Sequence, residues 1–131
     1  MTRINVVCVE ELADQWLLAE YRELPRVIKN EFDLSDAPER YKLGRGHVKW
    51  CKRHAYWTMA RYFQICDEME YRGFKVNNPA RELYKIWNGK GEFYQVGWVD
   101  VVKNVRRLRA KYRIKPDFYK WTKREKPEWI K

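Results

Sequence analysis

Val48-Lys49-Trp50-Cys51-Lys52-Arg53-His54-Ala55-Tyr56-Trp57-Thr58-Met59-Ala60-Arg61-Tyr62-Phe63-Gln64-Ile65-Cys66-Asp67-Glu68-Met69-Glu70-Tyr71-Arg72-Gly73 is the stretch that decides the fold. Along it Val48, Cys51, Ala55, Met59, Tyr62, Cys66 and Met69 recur every three or four residues. That is the period of one helix face and not the two-residue alternation of a strand. Gly73 stands where a left-handed C-cap belongs. Cys51 and Cys66, lying on the stripe, read as small core hydrophobes rather than ligands.

Upstream, a helix is expected from Glu10 or Glu11 to Glu23 or beyond. Leu12, Trp16, Ala19 and Glu23 share one side, with Ala13, Leu17 and Leu24 adjoining. Glu10, Glu11 and Asp14 crowd its start, where the helix dipole favours acids. Pro25 is expected to end or kink it. Downstream, a third helix is expected from about Trp98 to Tyr112, with Val101, Val105, Leu108 and Tyr112 as its apolar stripe. Lys103, Arg107 and Lys111 fall four apart on another face, and Pro116 closes the segment. Residues Ile4 to Val9 are apolar and β-branched but have no evident strand to pair with, so they read as an arm laid across the helices. Turn-forming residues fill 31–46 and 74–97. The fold reading is all-α: a compact single domain over residues 1–131, of three helices with an extended N-terminal arm and irregular loops.

The 131 residues carry 28 Lys+Arg against 18 Asp+Glu, a net charge of +10, and 45% are apolar, with seven Trp, nine Tyr and five Phe. So many aromatics exclude a disordered chain. No apolar run approaches the roughly 18 residues of a membrane span, and no signal-peptide pattern opens the chain. Three scattered cysteines make no disulfide framework, so a reducing, cytoplasmic setting is expected. Residues 103–131 hold twelve basic and three acidic groups, most of the net charge. A solvated tail would account for the charge. It would not account for Tyr112, Phe118, Tyr119, Trp121 and Trp129 among the cations, a mixture suited to a nucleic-acid surface.

Candidates for chemistry are few. There is no Gly-rich phosphate loop, CxxC pair or HExxH. His47, Cys51 and His54 share a helical face, but Cys51 belongs to the core stripe and no fourth ligand stands out, so no metal is expected. Met1-Thr2 permits removal of the initiator methionine, which would expose the α-amine of Thr2. Such an amine, with a pKa of about 7.7–8.0, is about one quarter unprotonated near pH 7.4. Many chains begin Met-Thr for no chemical reason. Arg22 and Arg26 lie one helical turn apart with Glu23 between them in sequence. Two phosphate clamps beside a carboxylate and a solvated ion pair both fit that pattern.

Met1-Thr2-Arg3-Ile4-Asn5, Glu11-Leu12-Ala13-Asp14-Gln15 and Ala19-Glu20-Tyr21-Arg22-Glu23-Leu24-Pro25-Arg26-Val27 resemble the pyrimidine-dimer DNA glycosylase/AP lyase family of the phage endonuclease V type. Leu43-Gly44-x-Gly46-His47-Val48, Arg72-Gly73-Phe74, Arg107-Leu108-x-x-Lys111 and Pro116-x-x-Tyr119-Lys120 are similar too. About half the chain is covered, including both ends, while 30–42 and 77–100 match poorly. The resemblance implies a three-helix, cofactor-free enzyme, monomeric on double-stranded damaged DNA. It implies that the Thr2 amine attacks C1′ of the damaged nucleotide to form an imine. Glu23 would serve both base release and the β-elimination that nicks the strand. Arg3, Gln15, Arg22, Arg26, Arg107 and Lys111 would contact DNA, and Tyr21 would help shape the site. The base opposite the lesion would leave the stack, which costs less at a damaged step.

One position departs from the family pattern: Trp16 stands where a DNA-facing histidine is usual. Trp16 either stacks or wedges against a base, and so joins the DNA-binding set, or fills the core. Three functional readings are thereby open: a glycosylase/lyase on cyclobutane pyrimidine dimers, the same mechanism on another lesion or modified base, and a noncatalytic basic DNA-binding module.

Overall fold

The computed structural model describes residues 4–29, 49–51, 54–76 and 101–131. Thr2, Arg3, His47 and the expected loop at 31–46 lie outside the described residues, as does most of the loop at 74–97. Within them the chain is all-α, with helices α1 (Asp14–Lys29), α2 (Ala55–Arg72) and α3 (Val101–Ile114). Short 3₁₀ turns occur at Val9–Glu11 and Glu128–Ile130. No helix among the described residues is long and apolar enough to cross a membrane.

α2 follows the stripe that predicts it. Met59, Tyr62, Ile65, Cys66 and Met69 are all buried. Gly73 caps the helix at φ +92°, and its N–H donates to the Glu70 carbonyl at 3.0 Å. The stripe is nevertheless not one unbroken helix. Residues 49–51 are helical, but His54, with ψ at 61°, is the residue from which α2 starts afresh. His54 Nδ1 donates to the Trp50 carbonyl at 2.8 Å, and its ring stacks on Trp50 at 4.1 Å. The Thr58 hydroxyl donates to the Cys51 carbonyl at 2.6 Å, joining the two segments and keeping the apolar face in phase. Burial of Cys51 raises its thiol pKa far above the ordinary value, and burial pushes Cys66 up to about 11. Both thiols are buried in the core and stay protonated at neutral pH.

α1 starts later than expected and runs beyond Glu23, to Lys29. It starts at Asp14 because Val9–Glu11 forms a separate 3₁₀ turn and Leu12 is extended, at φ −75° and ψ 135°. Leu12 and Ala13 are buried just before the helix, the buried side of α1 is Trp16, Leu17, Glu20, Leu24 and Val27, and Ala19 faces solvent. Pro25 does not end the helix, although it removes one i→i−4 bond. Buried Leu24 and Val27 on either side of it hold the helix to the core.

In α3, Leu108 is buried and Val105 and Tyr112 partly so, but Val101 is 43% exposed. The fully buried residue of its first turns is the polar Asn104. The arm lies as expected, in no regular structure, with Ile4 and Val7 buried.

The basic C-terminal segment is fastened to α1 and α2 rather than trailing in solvent. The Asp14 N–H donates to the Lys120 carbonyl at 2.7 Å, and the Asp14 carboxylate accepts from the Thr122 N–H at 3.1 Å and its hydroxyl at 2.6 Å. Arg72, buried in α2, binds Asp14 and Glu68, and Arg124 binds Glu68 from the tail. Trp121 and Trp129 donate from their indoles to the carbonyl and carboxylate of Glu11, each at 2.9 Å.

Candidate DNA-contact and catalytic face

Arg22 and Arg26 stand out from α1 into solvent, Arg26 with 73% of its side chain exposed. Glu23 between them is only 12% exposed and accepts from Arg26 at 3.2 Å. Two exposed cations, one of them paired with it, thus flank a carboxylate mostly withdrawn from water. This arrangement suits phosphate binding next to a general base, because a partly desolvated carboxylate interacts more strongly with charge that develops beside it. Tyr21, half-buried, stacks on Tyr62 of α2 with centroids 5.9 Å apart and planes within 6°, so its ring is a fixed wall of this face.

The arm runs against the same face. The Asn5 N–H donates to Glu20 of α1 at 2.8 Å, and Asn5 Oδ1 accepts from Asn104 of α3 at 2.8 Å. Asn5 therefore lies between α1 and α3. Glu23 is one turn beyond Glu20, about 4.5 Å along the axis, and Arg107 and Lys111 lie one and two turns beyond Asn104. Arg107 and Lys111 are half-buried and on the Asn104 side of α3. The structure thereby brings Arg22, Glu23 and Arg26, and Arg107 and Lys111, to the two helices that hold the arm. Thr2 and Arg3 lie outside the described residues.

Two members of the expected set sit elsewhere. Trp16, open by sequence to either a DNA-facing or a core role, is buried in this structure. It is 6% exposed, packed on Tyr119 at 4.6 Å and edge-on to Trp121 at 6.0 Å, because the ordered tail covers this part of α1. Of the two roles open to it, Trp16 takes core packing. Gln15 donates to the Phe118 carbonyl at 2.8 Å and accepts from the Lys120 N–H at 3.2 Å, so both ends of its amide are engaged with the tail. Tail aromatics are packed at Trp121 and partly at Tyr119 and Trp129, whereas Phe118 is 55% exposed.

Sequence reasoning missed Glu20, Arg61 and Asn104, all buried and all bound to the arm. Their partners stand 15 to 99 positions away, beyond the reach of any local spacing rule. The one available signal was a charged or amide residue amid apolar positions, as Arg61 stands beside Met59 and Tyr62. Of His47, Cys51 and His54, the first lies outside the described residues, Cys51 is a buried thiol, and His54 Nδ1 donates to the Trp50 carbonyl.

The match to known proteins covers the arm, α1 and α2 of this face but not α3. The family model described as pyrimidine dimer DNA glycosylase matches residues 1–82, which take in the arm, α1 and α2. A match over well more than half of the 131 residues decides the kinship, and the chain belongs to the pyrimidine dimer DNA glycosylase family of DNA repair enzymes.

Proposed function

We propose that this chain excises cyclobutane pyrimidine dimers from duplex DNA and then nicks the strand, with the α-amine of Thr2 as nucleophile and Glu23 as the carboxylate of both steps. The amine forms a bond to C1′ as the glycosidic bond breaks, its electron pair leaving with the base, and sugar ring opening gives a protonated imine. Glu23 stabilises the positive charge developing at C1′. It then takes the 2′ proton, and the released electron pair expels the 3′ phosphate into the strand break. Water hydrolyses the imine and returns the amine. The imine is the electron sink, so no metal or cofactor enters the scheme. Arg22, Arg26, Arg107 and Lys111 hold phosphates on either side, and Arg3 adds a contact from the arm.

The observation that carries this reading is the carboxylate of Glu23, 12% exposed between two exposed arginines, one turn from the residue that binds the arm. Thr2 is three residues before Asn5, a span of at most about 10 Å, so the amine is tethered within reach of that carboxylate. A second reading keeps the mechanism on another lesion or modified base, and the packed Trp16 favours it, because a histidine's charged contact to DNA is absent there.

Borohydride trapping on a duplex with one defined thymine dimer, beside abasic and undamaged duplexes, tests both readings. An adduct on the dimer duplex that maps to Thr2 and is lost in Glu23→Gln supports the proposal. An adduct on the abasic duplex alone moves the lesion to the second reading. No adduct from protein shown by mass to begin at Thr2 leaves a noncatalytic DNA-binding module.

A further inference from the structure

Residues 5–7 of the arm belong to no helix or strand, yet none of their backbone N–H groups is left to solvent. The Asn5 N–H donates to Glu20 at 2.8 Å, and the Val6 and Val7 N–H groups share Asn104 Oδ1 at 2.7 and 3.2 Å. Arg61 of α2 donates to the Val7 carbonyl and pairs with Glu20 at 2.6 Å. Asn104 also donates to the Asn5 side chain at 2.8 Å. Each of the three helices thus gives one buried side chain to the same three residues. The side chains of Ile4 and Val7, buried on either side, hold the arm by packing as well.

Stability alone is a poor account of this arrangement. Glu20 and Arg61 are 0% and 4% exposed, and apolar residues in place of a buried ion pair are often as stable or more so. What a satisfied buried polar network supplies is a single geometry. We infer that Glu20, Arg61 and Asn104 form a clamp that positions the Thr2 amine against Glu23. The inference rests on the catalytic reading above. Glu20 and Glu23 ride on one helix a turn apart, so the clamp refers the arm to the helix that carries the carboxylate. A misplacement of about 1 Å costs on the order of 100-fold in rate, so the clamp is expected to act on chemistry and not on binding.

Asn104→Leu removes the acceptor for two arm N–H groups at similar volume. Asn104→Asp keeps it, and the Asn5 amide turned over presents its NH₂ to the new carboxylate. Single-turnover borohydride trapping on an abasic duplex separates a rate constant from an amplitude. Loss of folded protein lowers the amplitude, whereas misplacement lowers the rate constant. Asn104→Leu is expected to slow trapping on the order of 100-fold at full amplitude, with duplex affinity within about threefold, and Asn104→Asp to recover most of the rate. Glu20→Leu/Arg61→Met, which replaces the ion pair with apolar side chains, is expected to slow trapping likewise and serves if Asn104→Leu does not fold. Wild-type rate constants in the folded variants overturn the clamp while leaving the catalytic reading intact. A wild-type chain that gives no adduct at Thr2 overturns both.

Discussion

Arg72→Met is the substitution whose cost the structure defines most fully. The Arg72 guanidinium is entirely buried. It donates to Glu68 at 2.8 Å, to Asp14 at 2.8 Å, and to the carbonyls of Val9 and Glu10 at 3.3 Å each. Methionine fills much of the space and supplies none of these donors. Removing one partner of a buried ion pair costs about 3–5 kcal/mol, because the charge left behind remains desolvated. Neither carboxylate is orphaned, however. Asp14 keeps its two bonds from Thr122, and Glu68 keeps Arg124 at 2.8 and 2.9 Å. The loss should therefore fall at the lower end, about 3 kcal/mol, or on the order of 10 °C in Tm for a chain of this length.

The cost should also depend on pH, with a definite sign. Burial raises the Glu68 pKa, but hydrogen bonds from Arg124 and Arg72 outweigh it and hold the carboxyl below the ordinary glutamate value. A depressed folded pKa contributes stability that is complete above the unfolded value and is lost as the pH falls through the folded one. The gap between wild type and Arg72→Met is therefore widest at neutral pH and narrows below the ordinary value of 4.5. Urea unfolding followed by tryptophan fluorescence at pH 7 and pH 3.5 measures both. Glu128→Ala is the control, since its bond to Lys131 joins side chains 90% and 60% exposed and should be worth no more than about 0.5 kcal/mol. A loss below about 1 kcal/mol at pH 7, or a gap that widens in acid, refutes the argument.

Arg22→Ala and Arg26→Ala should each weaken duplex binding and reduce the slope of log K against log salt by about 0.9; an unchanged slope takes that side chain off the phosphates. Gly73→Ala should cost about 1 kcal/mol in urea unfolding. A Cβ there meets nothing within 4 Å, and the loss comes from the backbone at φ +92° alone, so a neutral result would dismiss the cap. Of the three cysteines, exposed Cys8 should react with a thiol reagent in the native protein while Cys51 and Cys66 wait for unfolding. Burial keeps the latter two protonated, and labelling of more than one thiol per native chain would contradict that.

What the sequence made legible was whatever repeats at short range. The α2 stripe, its Gly73 cap and the unpaired arm follow from spacings within a few residues, and the structure reproduces them. The start of α1 was not legible because Leu12 is buried by the turn before the helix and not by the helix itself, and periodicity cannot tell those cases apart. Arg22, Glu23 and Arg26 were legible as a group because one helical turn carries them all. The clamp was not, since Glu20, Arg61 and Asn104 find their partners only once three helices and the arm have assembled.

Trp16 shows how such long-range assembly changes the meaning of a single residue. Read along α1 it stands one turn from Glu20 and seven residues from Glu23, a place from which a side chain could meet DNA. Once the tail is bound through Asp14, Gln15 and Glu11, Tyr119 and Trp121 close over the indole. Lys115, Lys120, Lys123, Lys126 and Lys131 of the tail are exposed, while Tyr119, Trp121 and Trp129 pack inward. Position 16 and segment 118–122 therefore form one unit, with the aromatic at 16 anchoring the tail. Phe118, 55% exposed beside Lys115, is the ring of that segment left outward.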